Sequence, residues 1–236
     1  MELGEIFTDA LRYPFQNIKA LVIYVILGII LGIAVGGTVV AVVAGAAANN
    51  ALAVIGSGII GIVVALVLGF FISGYQLDII KLGIERRTDG PEIDFIRQFF
   101  NGVKLFVVNI VYLIIPIIIG AILAVIFQHW LSGIITAIVT IIFAFALIMG
   151  ECRLAKTDDL GYALSVGEAI GDISKVGFLK LFAFIIIAFV VAFIIFAICG
   201  AITQWNATVG GILLGILGVY LTFFIGRATG LLYSDV

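Results

Sequence analysis

All twelve Lys and Arg residues and all fourteen Asp and Glu residues fall within segments 1–19, 76–104, 151–180 and 226–236. Between these segments lie apolar runs too long for a soluble fold. A membrane span takes about 20 mostly apolar residues. Six stretches meet that length: Ile18–Ala48, Ala51–Ile80, Leu105–Phe127, Leu131–Met149, Leu179–Ala201 and Val209–Ile225. Hydrophobic residues make up 64% of the chain and charged residues 11%, whereas soluble domains are about a quarter charged. Alternation of period two is absent, which argues against a membrane β-barrel. The first apolar run is too long for a cleavable signal and follows Glu2, Glu5 and Asp9. The expected class is an all-α integral membrane protein, one transmembrane domain over residues 1–236.

Charge placement sets an expected orientation. The three remaining connections, Asn49-Asn50, Gln128-His129-Trp130 and Thr203–Thr208, carry no formal charge. Lys and Arg accumulate on the cytoplasmic side of membrane proteins, so the charged segments and both termini are expected there, in the cell membrane. Trp130 and Trp205 then anchor the opposite interface. Cys152 follows the fourth run and Cys199 lies near the far end of the fifth, so they are expected on opposite membrane sides and read as buried free thiols rather than a disulfide.

A repeat underlies this pattern. Gly74, Gly150 and Gly226 close successive apolar runs at equal intervals, and Lys104 to Lys180 spans the same interval. A constant period marks a repeated structural unit, here about 1–90, 91–160 and 161–236. Each unit reads as an amphipathic interfacial helix followed by a transmembrane hairpin. The first interfacial helix sets Leu3, Ile6, Phe7, Ala10 and Leu11 at helical spacing, ends at Pro14 and lies in the headgroup boundary. Asp94 caps the second, and Ser165-x-x-Glu168 forms a capping box for the third. Units with an even number of crossings share one orientation, so three parallel repeats in a pseudo-threefold arrangement are expected. Lys19 to Gly74 is nine residues longer than its counterparts, and the surplus falls near Gly45–Asn50.

Few residues offer chemistry. Gly28, Gly32 and Gly36 on the first span, and Gly211 and Gly215 on the sixth, recur every fourth position, which lets helix backbones approach closely. They serve either packing within the chain or an oligomer face. Asp78, Glu151, Arg153 and Arg227 lie at the charged ends of the even-numbered spans. A threefold arrangement brings these ends together, with Glu151 and Asp78 expected to pair with Arg227 and Arg153. The cluster is either structural or a cytoplasmic gate or ligand site. Asn109 and Tyr112 stand one turn apart on the third span, ready to hydrogen-bond a neighbouring helix, and Pro116 is expected to kink it. His129 is a lone interfacial histidine without metal-binding partners. Asn206-Ala207-Thr208 fits the glycosylation acceptor pattern. The sequence shows no paired intramembrane carboxylate, nucleophile beside a base, phosphate loop or metal set, so the expectation is no enzyme, no cofactor and no nucleic-acid partner.

Several motifs resemble an archaeal, methanogen-type family of multi-pass membrane proteins, domain of unknown function 4013 (DUF4013). They are Ala10-Leu11-Arg12-Tyr13-Pro14-Phe15, Ser73-Gly74-Tyr75, Gly102-Val103-Lys104-Leu105-Phe106 with Tyr112 and Pro116, Leu154-Ala155-Lys156-Thr157, and Arg227-Ala228-x-Gly230-Leu231-Leu232-Tyr233. The resemblance implies location and topology and carries no activity. The favoured expectation is a non-enzymatic packing, scaffold or accessory component that contacts lipid, copies of itself or another membrane protein. The alternative is a channel or carrier with a path along the pseudo-threefold axis.

Overall fold

The structure is a computed structural model, and it describes residues 1–126 and 130–236. Their order is α1 (Leu3–Gln16), α2 (Ile18–Ala47), α3 (Ala51–Ile84), α4 (Phe95–Ile126), α5 (Trp130–Thr157), α6 (Leu160–Ala163), α7 (Val166–Val176), α8 (Phe178–Trp205) and α9 (Ala207–Tyr233). Helices α2, α3, α4, α5, α8 and α9 are long and apolar enough to cross a membrane. The chain is thus an all-helical, multi-pass membrane protein. A helix satisfies its own backbone groups, the condition lipid imposes on any spanning segment.

Chain breaks decide where the spans begin. Pro14 does not end α1, because the helix continues through it to Gln16. The break comes at Asn17, whose Nδ2 donates to the Tyr13 carbonyl at 3.1 Å. The Asn17 backbone N–H bonds the same carbonyl at 3.2 Å, so Asn17 closes the last turn of α1 twice over. Gly177 separates α7 from α8 at φ +96°, a backbone region that side chains disfavour. No such break lies between Phe95 and Leu105, so the expected second short helix is instead the start of α4. Asp94 does cap α4, accepting from the Arg97 N–H at 3.1 Å. Ser165 does not cap α7 through its side chain; its hydroxyl donates to the Gly161 carbonyl at 3.2 Å, and Glu168 is engaged by Arg153. The expected capping box is therefore absent. Helix α4 also runs on through Pro116.

The core sits at the charged end. Ile6, Ala10 and Tyr13 of α1 are fully buried, and Phe7 stacks on Phe184 of α8 at 5.3 Å and lies 5.9 Å from Phe224 of α9. The apolar face of α1 is thus covered by α8 and α9, which corrects the expectation that it lies in the headgroup boundary. A second aromatic cluster joins α2, α3 and α9: Tyr24 stacks on Tyr75 at 4.2 Å, and Tyr75 lies 5.1 Å from Phe223. Towards the uncharged end burial falls away, and Leu52, Trp130 and Trp205 are 78–86% exposed. Both termini lie together at the charged end, where Asp235 takes the Met1 ammonium at 2.9 Å.

Candidate functional site

Three ion-pair joints lock the charged end, and each joins the second helix of one hairpin to the segment leading into a different hairpin. On α3, Asp78 accepts from Arg97 at 3.0 Å, Gln98 at 3.3 Å and Asn101 at 3.0 Å, all on the first turns of α4. On α5, Arg153 donates to Asp172 of α7 at 2.9 Å and also pairs with Glu168. On α9, Arg227 donates to Asp9 of α1 at 2.6 Å and to the Arg87 carbonyl. Arg153 and Arg227 are 2% and 1% exposed, and each guanidinium also lies over a ring, Tyr162 at 3.6 Å and Tyr13 at 4.9 Å. The structure therefore does not pair Asp78 and Glu151 with Arg153 and Arg227. The spans' charges are used locally, against the leading segments.

Sequence reasoning missed Asp9, Arg97, Gln98, Asn101 and Asp172. For Asp172 a signal was present: it lies three residues after Ala169, within the apolar stripe of the third short helix. A polar residue breaking an apolar stripe is a demand for a buried partner. Asp172 meets that demand three ways, accepting from Arg153 at 2.9 Å, Lys175 at 2.6 Å and Tyr233 at 2.7 Å across its two oxygens. Burial pushes its carboxyl up, but the hydrogen bonds from Lys175, Tyr233 and Arg153 outweigh it and hold the group below the ordinary aspartate value. Burial raises the Tyr13 phenol, against the pull of Arg227. The hydrogen bond from the amino terminus holds Asp235 low.

Glu151 stands apart from these joints. Its Oε1 accepts from Asn109 Nδ2 at 3.1 Å, and that amide nitrogen also donates to the Leu105 carbonyl at 2.9 Å. Among the described residues no cation pairs with it within ion-pair distance. Glu151 and Asn109 line a crevice of about 460 Å³ between α3, α4 and α5, together with Ser73 and Gln76. Tyr112 is on another side of α4, donating to the Ala163 carbonyl at 2.8 Å. A separate cleft of about 500 Å³ opens at the charged end beside Asp78, Lys81, Glu85, Arg97, Asn101 and Asp158.

The repeated glycines form a seam between α2 and α9. A Cβ at Gly28 would lie 2.6 Å from the Gly215 carbonyl oxygen, and one at Gly32 would lie 2.8 Å from that of Gly211. Gly36 faces open space, so it takes no part in the seam. Asn206 caps α9, its Oδ1 accepting from the Thr208 and Val209 N–H groups at 3.1 Å each. The Asn-x-Thr pattern therefore has a structural use whether or not it carries a glycan. Cys152 and Cys199 are free and buried. His129 lies outside the described residues, and among those described no group of His, Cys, Asp and Glu could hold a metal ion.

A family model matches residues 58–204, from α3 to the end of α8. That stretch holds the Asp78 and Arg153 joints and the whole Glu151 crevice. No curated protein and no solved structure matches the chain. Covering well over half of the sequence, the match shows that the chain belongs to the family described as Protein of unknown function (DUF4013).

Proposed function

We propose that this protein is a non-enzymatic component of an archaeal cell membrane that acts through lateral contacts with lipid, with copies of itself or with another membrane protein. In this reading three parallel units, each an interfacial segment and a hairpin, surround a pseudo-threefold axis. Both termini are cytoplasmic. One observation carries the reading: Arg153 and Arg227 are buried at the charged end, each paired with a carboxylate on the segment packed against its helix. A path along the axis would have to break these joints, whereas the outer halves of the hairpins offer broad apolar flanks. The repeated packing logic supports the threefold arrangement, because α1 rests on α9, the start of α4 on α3, and α7 on α5.

A channel or carrier is the second reading, and the Glu151 crevice is what favours it. That path would run between α3 and α4 rather than on the axis. Native mass spectrometry of gently extracted protein, paired with ion and solute flux in proteoliposomes, separates the two. Retained lipid, extra copies or a protein partner without flux is the expected result. Flux that Arg153→Met or Glu151→Gln changes would overturn the packing reading.

A further inference from the structure

We propose that the crevice between α3, α4 and α5 binds a primary ammonium carried on an apolar chain, with Glu151 as its counter-charge. The site goes beyond the packing reading and does not depend on it. A carboxylate at membrane depth is costly unless it meets a cation or a proton. Arg153, Arg227 and Arg97 are engaged with other carboxylates, and Lys104 reaches Asp158 at 2.6 Å. Asn109 gives Glu151 one neutral hydrogen bond and spends its remaining donor on Leu105. Either a proton or the cation of a ligand then answers the carboxylate, and the crevice beside it has room for the ligand.

The lining has a head and a tail. Glu151, Gln76 and Ser73 supply its polar groups, and among the described residues no hydrogen bond engages the Gln76 or Ser73 side chain. Farther along α3 the wall becomes Phe70, Gly69, Leu66 and Ala65. From Gln76 to Ala65 the helix rises about 16 Å at 1.5 Å per residue, a length suited to an extended chain. Gly102 presses against the Phe70 carbonyl, so the crevice runs beside a backbone contact between α3 and α4. Leu66 and Phe106 are 38% and 41% exposed, so the crevice opens sideways to lipid. Its volume lies within the usual range for small-molecule sites.

The donor count selects the head group. A primary ammonium carries three N–H donors, matching the carboxylate of Glu151, the hydroxyl of Ser73 and the amide oxygen of Gln76. A quaternary ammonium has no donor and favours aromatic cages, whereas Phe70 and Phe106 pack edge to face on each other at 5.5 Å. A neutral alcohol would leave the carboxylate without a counter-charge. The ammonium belongs either to an aminolipid headgroup or to a free alkylamine.

The test uses the full chain in a non-ionic detergent, with dodecylamine, dodecanol and dodecyltrimethylammonium as probes. Dodecylamine is expected to bind at least tenfold more tightly than the other two. Glu151→Gln, which keeps the shape and the bond from Asn109, is expected to lose at least tenfold of that affinity while eluting like the wild type on size exclusion. Phe106→Trp leaves the carboxylate, fills the tail region and is expected to weaken binding as well, so the proposal does not rest on one variant. Native mass spectrometry after extraction from bilayers containing ethanolamine or choline headgroups separates the sources. Selective retention of the ethanolamine lipid, or of the free amine alone, supports the site. Equal binding of dodecylamine and dodecanol, or undiminished binding in both variants, overturns it.

Discussion

Arg153 and Asp172 each have only 2% of the side chain exposed, so neither charge can fall back on water if the other is removed. Breaking a buried pair costs about 3–5 kcal/mol, because the orphaned charge stays buried, whereas replacing both partners by apolar groups is often neutral. Arg153→Met is therefore expected to lower stability by about 3–5 kcal/mol, and Arg153→Met with Asp172→Leu to recover most of it, both read from unfolding in detergent. The pair also sets an acid limit. The folded carboxyl of Asp172 titrates below its ordinary 3.8, so its contribution is complete above that value and is lost as pH falls through the lower, folded one. Melting temperatures from pH 7 to pH 3 are expected to hold until about pH 4 and then drop; Asp172→Asn, already destabilised, should show a smaller drop. Charge position was legible in the sequence, since every charge lay between the apolar runs. The pairing was not, because contact between α5 and α7 depends on how the hairpins pack, and Glu151 sits beside Arg153 in the chain while facing another helix.

Among the elements, the α2–α9 seam shows what spacing reveals and what it hides. A four-residue glycine period marks a face that permits close approach, but period alone cannot show how far the approach extends. The helices touch at Gly28, Gly32, Gly211 and Gly215 and have parted by Gly36. Gly28→Leu and Gly215→Leu would place side chains on backbone carbonyls and are expected to cost about 1–3 kcal/mol or more. Gly36→Leu is expected to change stability by less than about 0.5 kcal/mol, as a substitution away from buried features does. Equal losses at all three positions would show that the seam is longer than the structure has it. The continuous α4 illustrates the same limit. A short interfacial segment and a spanning run look alike whether or not a break joins them, and only a breaker such as Gly177 makes the difference visible beforehand.

At the scale of the molecule, all connections rich in charge lie at one end, where three ion-pair joints hold the hairpins together and the termini meet. The six spans and the sidedness of charge followed from the sequence because lipid imposes them on any chain. The crevice at Glu151 did not, because a void between diverging helices leaves no mark on local spacing. Single-cysteine accessibility in intact cells tests this arrangement most directly. With Cys152 and Cys199 replaced by Ala, single cysteines at Asn49 and Trp205 report the uncharged end, and single cysteines at Thr157 and Ser234 the charged one. An impermeant thiol reagent added outside is expected to label the first two and to reach the others only after the membrane is opened. Labelling of Thr157→Cys or Ser234→Cys from outside, or protection of Asn49→Cys and Trp205→Cys, would contradict the proposed orientation, in which the charged end faces the cytoplasm.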